Sequence, residues 1–262
     1  MILAVDVGNS NTTVGLFNGT GELLFRALLE TSRSKTRDQC AIELLGVFQL
    51  YGADACTVDG AILSSVVPPL TAIFTDAIAR LTGIPPMVVG PGIRTGLNIK
   101  AEIHNQLGSD IVASSVAAIA KYPSPIVMVD MGTATSLSLI VGSVYEGCII
   151  MPGLALALDA LSERAAALPP ISIEPASPVG LMGHTTEEAM RSGVLYGHAS
   201  MVDGMLERIE ESIGQSVTTV ATGGNAPRIL RYCKRPIQYD ADLIMTGLYL
   251  LYQKNAKKYR KA

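Results

Sequence analysis

Two stretches of the chain set an aspartate two residues before a glycine, inside an otherwise apolar run. Residues 2–17 read Ile-Leu-Ala-Val-Asp6-Val7-Gly8-Asn9-Ser10-Asn11-Thr12-Thr13-Val-Gly-Leu-Phe. Residues 126–141 read Ile-Val-Met-Val-Asp130-Met-Gly132-Thr133-Ala134-Thr135-Ser136-Leu-Ser-Leu-Ile-Val. A carboxylate at the end of a buried strand is costly without a partner, and a cation is a natural one. Asp6 suits Mg²⁺, held directly or through its waters. Asn9, Ser10, Asn11, Thr12 and Thr13, with the backbone N–H groups around Gly8, supply the neutral donors that phosphate oxygens take. The loop has no Lys or Arg, so metal ions must neutralise a bound polyphosphate. Asp130, with Thr133 and Thr135 as donors, repeats this logic. One such turn alone is more readily a polar hairpin tip. Two on like strands, followed later by Thr222-Gly223-Gly224-Asn225 after a third apolar run, point to a metal–phosphate ligand between two related halves.

A third acid follows Leu107-Gly108-Ser109, where Asp110 opens a helical pattern. As a capping or first-turn carboxylate it contributes about 1 kcal/mol. Its place just before the second half's first strand gives it another use, as acceptor of the proton from an attacking hydroxyl. Other phosphate signatures are absent. There is no GxxxxGK[ST] loop, and after Gly90-Pro91-Gly92 the next glycine, Gly96, falls one residue late for a dinucleotide fingerprint.

The elements that must position these acids are legible in outline. Strands are expected at 2–7, 12–18 and 23–29, with an Asn18-Gly19 turn, then a helix over 38–51. A buried strand at 60–67 stops at Pro68-Pro69; a helix over 70–81 and a strand at 87–89 follow. Residues 90–107 read as an irregular connection and set the expected boundary between lobes 1–107 and 108–262. Beyond it come a helix over 110–121, a strand pair at 125–141, a strand at 144–150, helices over 154–167 and 186–213, a strand at 217–221 and a closing helix over 241–258. The repeat offset is 124, from 130 minus 6, and Gly8 and Gly132 keep it.

Composition narrows the function classes. With 262 residues, 48% hydrophobic and 16% charged, the chain can bury a sizeable core. A net charge of −3 gives no global attraction to nucleic acid or anionic lipid. The basic cluster Lys254, Lys257, Lys258, Arg260 and Lys261 reads as a solvated helix end. Four cysteines without a CxxC pair and three histidines disfavour structural zinc. The first apolar run is broken by Asp6 and by Asn9 to Asn11, and no 18-residue uncharged apolar stretch occurs, so a cytoplasmic protein with free thiols is expected, with no nucleic-acid or membrane partner.

Asp6-x-Gly-Asn-Ser-Asn-Thr, Ser64-Ser65-Val-Val-Pro68, Arg94-Thr-Gly96-Leu97, Leu107-Gly-Ser-Asp110, Asp130-x-Gly-Thr-Ala-Thr135, Pro152-Gly153-Leu, Ala166-Ala-Leu-Pro169, Gly183-x-x-Thr186 and Gly223-Gly224 occur in this order. In that ordered set, over essentially its whole length, the chain resembles type III pantothenate kinases of the acetate and sugar kinase/Hsp70/actin superfamily. The resemblance implies an α/β fold of two duplicated ribonuclease H-like lobes, each a mixed sheet flanked by helices, around a central nucleotide cleft. It implies ATP-dependent phosphorylation of pantothenate, the first step of coenzyme A synthesis. On that reading Asp6, Val7, Gly8, Asn9, Ser10, Asn11, Thr12 and Thr13 bind ATP and Mg²⁺, with Thr133, Gly223 and Gly224 also at the nucleotide. Asp110 is the base, Asp130 ligates K⁺ or NH₄⁺, and Gly108, Ser109, Asp110, Ile111 and Thr186 meet pantothenate in a homodimer. The family has an arginine directly after the base, where this chain has Ile111, and an aromatic upstream that 99–102 lacks. Anchoring of the substrate carboxylate then falls to Lys100, Arg94, Arg164 or the partner subunit. The alternatives are a non-catalytic nucleotide-binding regulator on the same scaffold, a kinase of another small hydroxy acid, and an actin- or Hsp70-like ATPase, for which the length leaves little room.

Overall fold

The computed structural model describes residues 1–100, 107–173 and 179–259, with side chains described up to Ala256. His104, Arg260 and Lys261, and the side chains of Lys257 and Lys258, lie outside the described residues. The chain divides into two compact units, Met1–Lys121 with Asp242–Ala262, and Tyr122–Ala241. Contact thus draws the boundary after Lys121 and not at 107. The last helix also returns to the first unit, so the helices Ser109–Lys121 and Leu243–Tyr259 belong there and not to a lobe spanning 108–262.

The first unit opens with β1 (Ile2–Val7), β2 (Asn11–Phe17) and β3 (Leu23–Glu30). Asn18 closes the β2–β3 hairpin: its side-chain oxygen accepts from the Thr20 and Glu22 backbone amides at 3.0 and 2.9 Å. Then come α1 (Arg37–Leu50), a short 3₁₀ turn at Ala55–Thr57, β4 (Gly60–Ser65), α2 (Pro68–Thr82), β5 (Met87–Val88), the two-residue β6 (Asn98–Ile99) and α3 (Ser109–Lys121). Thr36 starts α1 with a reciprocal capping box to Gln39. Pro68 and Pro69, expected only to stop β4, also form the first turn of α2, where a missing N–H and a fixed φ cost nothing. The sheet order is β3-β2-β1-β4-β5, antiparallel up to β1 and parallel beyond it.

Strand alternation assigns the faces of this sheet. Leu3, Val5 and Val7 join Leu44, Phe48 and Phe74 of α1 and α2 in one core. Ile2 and Ala4 join Ala113 and Val116 of α3 and Met245, Leu248 and Leu251 of the closing helix in another. Full burial of such side chains contributes about 1.5–3 kcal/mol each. Gly247 lies directly against the Ala113 backbone, a contact that any side chain at 247 would block.

The second unit repeats the plan. Its strands are β7 (Ile126–Met131), β8 (Ala134–Val141), β9 (Val144–Pro152), β10 (Thr218–Thr222) and β11 (Gln238–Tyr239). They run β11-β10-β7-β8-β9, with β7 antiparallel to β8 and parallel to β10. These five strands repeat the order and directions of the first sheet. Helices α4 (Leu154–Arg164), α5 (Thr186–Ile213) and α6 (Ala226–Leu230) cover one face, packing Leu154, Leu158, Leu195, Val202 and Ile229 on Val127, Val129 and Met131. Helix α7 (Leu243–Tyr259) then rejoins the first unit. No helix among the described residues is long and apolar enough to cross a membrane.

The register shows where the duplication is inexact. Asp6 pairs with Thr13 on β2 and Ser64 on β4; Asp130 pairs with Ser136 on β8 and Thr222 on β10. Beyond the turns the offset falls from 124 to 123, because Val7 faces Thr12 whereas Met131 faces Thr135. Thr12 and Thr135 are therefore counterparts.

Candidate active site

In the first unit Asp6 is the penultimate residue of β1 and is 8% exposed. Alternation places it on the α3/α7 face, as it does Thr13 and Ser64 beside it. The turn after it closes tightly: Gly8 N–H donates to Asn11 C=O at 3.0 Å. A Cβ on Gly8 would stand 2.9 Å from that same carbonyl oxygen, so close approach selects glycine here. Asn9, Ser10 and Asn11 are exposed at the tip. Val7 is buried in the core and offers only its backbone.

Thr12 and Thr13 divide their tasks. Thr12, 1% exposed, points to the α1/α2 side, and its hydroxyl lies 2.8 Å from the Thr31 hydroxyl. Thr31 also donates its backbone N–H to Ser10 C=O at 3.0 Å. Thr12 therefore braces the turn from beneath, while Thr13 lies on the same face of the sheet as Asp6. In the second unit Thr135 is likewise buried, 3.1 Å from His198 Nε2. The expectation that Thr135 donates to a ligand is corrected: Ser136 lies on the Asp130 side. Burial holds His198 below its ordinary pKa, which keeps the ring neutral.

Asp110 joins Asp6 through two serines. Ser109 Oγ lies 2.9 Å from Ser64 Oγ and accepts from the Ser65 amide at 3.1 Å. Ser64 is the in-register neighbour of Asp6, so these bonds fix the start of α3 beside it. Asp110 sits in the first turn of α3; its Oδ1 accepts from the Ile111 amide at 2.8 Å and lies where a Cβ on Gly108 would have to go. Burial raises the Asp110 pKa above the ordinary carboxylate value, and the Ile111 amide partly offsets that rise. A half-buried carboxylate of raised pKa beside a phosphate-type turn is equipped to take a proton from an alcohol.

The second unit gathers Asp130, Thr133, Gly223 and Gly224 in one group of turns. Gly132 N–H donates to Ala134 C=O at 3.0 Å, as Gly8 does to Asn11, and Gly153 N–H donates to Thr133 C=O at 3.1 Å. Gly223 has φ 92, and a Cβ on it would stand 2.6 Å from the Met131 carbonyl and 2.7 Å from Asp130 Oδ1. Gly224 faces open space. Asn225 ties the two turns together: its backbone N–H reaches Met131 C=O at 3.0 Å and its amide nitrogen reaches Gly132 C=O at 3.1 Å. The sequence showed Asn225 only as the tail of a Gly-Gly turn, since its partners are about 93 positions upstream. The pairings of Ser64 with Ser109 and of Thr31 with Thr12 are hidden for the same reason, with partners 45 and 19 positions away.

Thr186 stands apart from these turns. The N-cap of α5 is Thr185, not Thr186: Thr185 accepts from the Glu188 amide, and Glu188 accepts in return. Twelve residues of helix, about 18 Å, separate Thr186 from His198, which contacts Thr135 at the Asp130 end of β8. Arg94 is likewise remote from Asp110. Asn255 of α7 holds its backbone amide and carbonyl, both at 2.9 Å. α3 and α7 run side by side with Gly247 against Ala113, so eleven helical residues, about 16 Å, separate the levels of Asn255 and Asp110. The Arg94 backbone is thus held well along α7 from the level of Asp110.

Among the described residues no three His, Cys, Asp or Glu side chains gather as a metal cage. Asp6 and Asp130 each stand among hydroxyl-bearing neighbours. That donor set fits a cation that brings waters and phosphate oxygens of its own, as Mg²⁺ does.

Comparison with known proteins gives concordant results. A family described as type III pantothenate kinase matches residues 2–208. A type III pantothenate kinase of an Exiguobacterium species is 39% identical over 258 residues, covering 98% of this chain and 100% of that one. Among solved structures, a conserved putative Baf family transcriptional activator from Campylobacter jejuni superposes with a TM-score of 0.61 at 19% identity, over 97% of this chain and 99% of that one. The activator of 2-hydroxyisocaproyl-CoA dehydratase from Clostridium difficile, with bound ADPNP, superposes with a TM-score of 0.58 at 10% identity, over 99% and 97%. These structural likenesses speak to the fold.

Proposed function

The chain belongs to the type III pantothenate kinase family, and from that premise we propose that it transfers the γ-phosphoryl group of ATP to the hydroxyl of pantothenate, giving 4′-phosphopantothenate for coenzyme A synthesis. The observation that carries this reading is the docking of Asp110 beside the Asp6 turn through Ser109 and Ser64. It sets a proton acceptor next to a phosphate-type turn on one rigid sheet.

The residues divide the work. Exposed Asn9, Ser10 and Asn11, with Thr13, donate to the phosphates; Asp6 holds Mg²⁺, which offsets their charge when bound. Asp110 receives the hydroxyl proton as the acceptor oxygen attacks. Its raised pKa makes it a stronger acceptor than an ordinary aspartate, provided it is ionised at the working pH. Gly108, Ser109 and Ile111 bound the acceptor. Asp130 and Thr133 hold a monovalent cation, K⁺ or NH₄⁺, near the nucleotide. The active form is a homodimer. Supporting this, Thr186 is free of capping duty, and exposed Leu181 and Met182 just before it form an apolar surface for a second copy to cover. Incubation with ATP, Mg²⁺, K⁺ and pantothenate, read by mass spectrometry, tests the reading. Product heavier by one phosphoryl group is expected; a folded, ATP-binding protein that makes none defeats it.

A further inference from the structure

His198 breaks the pattern of its own helix. It shares the core-facing stripe of α5 with Leu195, Ala199 and Val202, all buried against the second sheet. A ring with two polar nitrogens is costly in such a stripe unless it is bonded. Its Nε2 lies 3.1 Å from the Thr135 hydroxyl, and both residues are buried. The partners stand 63 positions apart, one on α5 and the other at the second position of β8.

Thr135 is the mount of the Asp130 turn. It pairs in register with Met131, the residue after Asp130. Directly before it, Ala134 C=O accepts from Gly132 N–H at 3.0 Å and closes the turn. Asn225 holds the Met131 and Gly132 carbonyls, so the turn is tied down at two places, by Asn225 and by His198 through Thr135. The first unit has the same arrangement with different chemistry. Thr12, the counterpart of Thr135, is held by Thr31, whose backbone amide also bonds Ser10 C=O. In both units a buried threonine at this register position anchors the turn to a distant stretch of chain. A site keeps its affinity only while its groups are held to within about 0.5 Å, and losing the partner that orients a metal ligand costs about 10–100-fold in metal affinity. Resting on the kinase reading above, in which Asp130 and Thr133 hold a monovalent cation, we propose that His198 is a positioning residue for that cation: through Thr135 it sets the Asp130–Thr133 turn, and with it the K⁺ concentration needed for full nucleotide affinity.

The test uses the full chain with ADP and Mg²⁺ and no acceptor. ADP affinity is measured by calorimetry over a series of K⁺ concentrations, with choline chloride balancing the ionic strength, and every variant is also melted. His198→Leu or Thr135→Val alone leaves a buried polar partner unpaired and should lower the melting temperature. The double variant has neither polar group, so its melting temperature should return toward that of the wild type. All three should need about tenfold more K⁺ for half its effect on ADP affinity. His198→Gln, whose amide reaches the place of Nε2, should bring that requirement back to within about threefold of the wild type. An unchanged K⁺ requirement in His198→Leu overturns the proposal. So does a K⁺ requirement that recovers together with the melting temperature in the double variant, since His198 then only fills the core. Binding is read without turnover, so the two readings fail separately. A wild type that binds ADP without regard to K⁺ overturns this proposal while its product assay still decides the kinase reading; a wild type whose ADP binding follows K⁺ but that makes no phosphopantothenate defeats the kinase reading, and the variants still decide the role of His198.

Discussion

Replacing Asp110 by Asn removes the proposed base while keeping its shape and the oxygen that accepts from the Ile111 amide at 2.8 Å. General-base catalysis is worth about 10²–10⁴-fold, so kcat should fall at least about 10², or 2.7 kcal/mol at 1.36 kcal/mol per decade. Affinity for ADP should hardly change, because the nucleotide donors lie on the Asp6 turn and in the second unit. Stability should move the other way. The folded-state pKa of Asp110 is raised, with burial as the first cause. A raised folded pKa means the fold disfavours the charged form. The group's contribution is then most favourable below its unfolded value near 3.8 and is lost as pH rises through the folded value. At pH 7.5 the Asn variant escapes that cost and should melt at the same temperature or higher; near pH 4 the advantage should shrink. The wild-type pH–rate profile should show an acid limb with its midpoint above 3.8. A coupled ADP-release assay and thermal melts at the two pH values check this. Near-normal turnover, or a clear loss of melting temperature at pH 7.5, refutes the assignment.

Thr31→Val deletes the hydroxyl 2.8 Å from Thr12 but keeps the amide that holds Ser10 C=O. Leaving the Thr12 hydroxyl buried without that partner costs about 1–3 kcal/mol; the ATP KM should rise about fivefold and Thr31→Ser should restore it, whereas a melt shift with unchanged KM would make Thr31 structural only. Gly223→Ala forces a Cβ to 2.6 Å from the Met131 carbonyl and 2.7 Å from Asp130 Oδ1 at φ 92; the protein should lose about 1–3 kcal/mol and most of its nucleotide affinity, as denaturant melts and calorimetry would show. Thr185→Ala should cost about 1 kcal/mol through the lost α5 cap, while Thr186→Ala should spare stability and raise the pantothenate KM. The reverse pattern in melts and kinetics would assign the capping role to Thr186 instead.

What the sequence made legible was local. The β1–β2 and β7–β8 pairs, their Asp-Gly turns and the run of helices over 109–121 and 186–213 follow from alternation, turn residues and 3.6-residue periodicity. The rest depended on partners far along the chain. α7 reads as one amphipathic helix in isolation, and nothing in its pattern says that it packs on α3, more than a hundred residues upstream. The boundary expected at 107 missed this. The one-residue slip between the two turns puts Ser136, and not the expected donor Thr135, on the Asp130 face, because side chains alternate with period two and one residue flips every one of them. Thr185 and Thr186 are adjacent hydroxyls, and only the reciprocal bond with Glu188 tells which of them caps. α6 and β11 span five and two residues, too short for periodicity to register.

A crystal structure with a non-hydrolysable ATP analogue, Mg²⁺ and pantothenate tests the account most directly. The account predicts the acceptor hydroxyl about 2.6–3.2 Å from an Asp110 carboxylate oxygen, with the phosphates on the amides and hydroxyls of residues 8–13. An acceptor hydroxyl beyond reach of Asp110, or phosphates seated away from that turn, would contradict it.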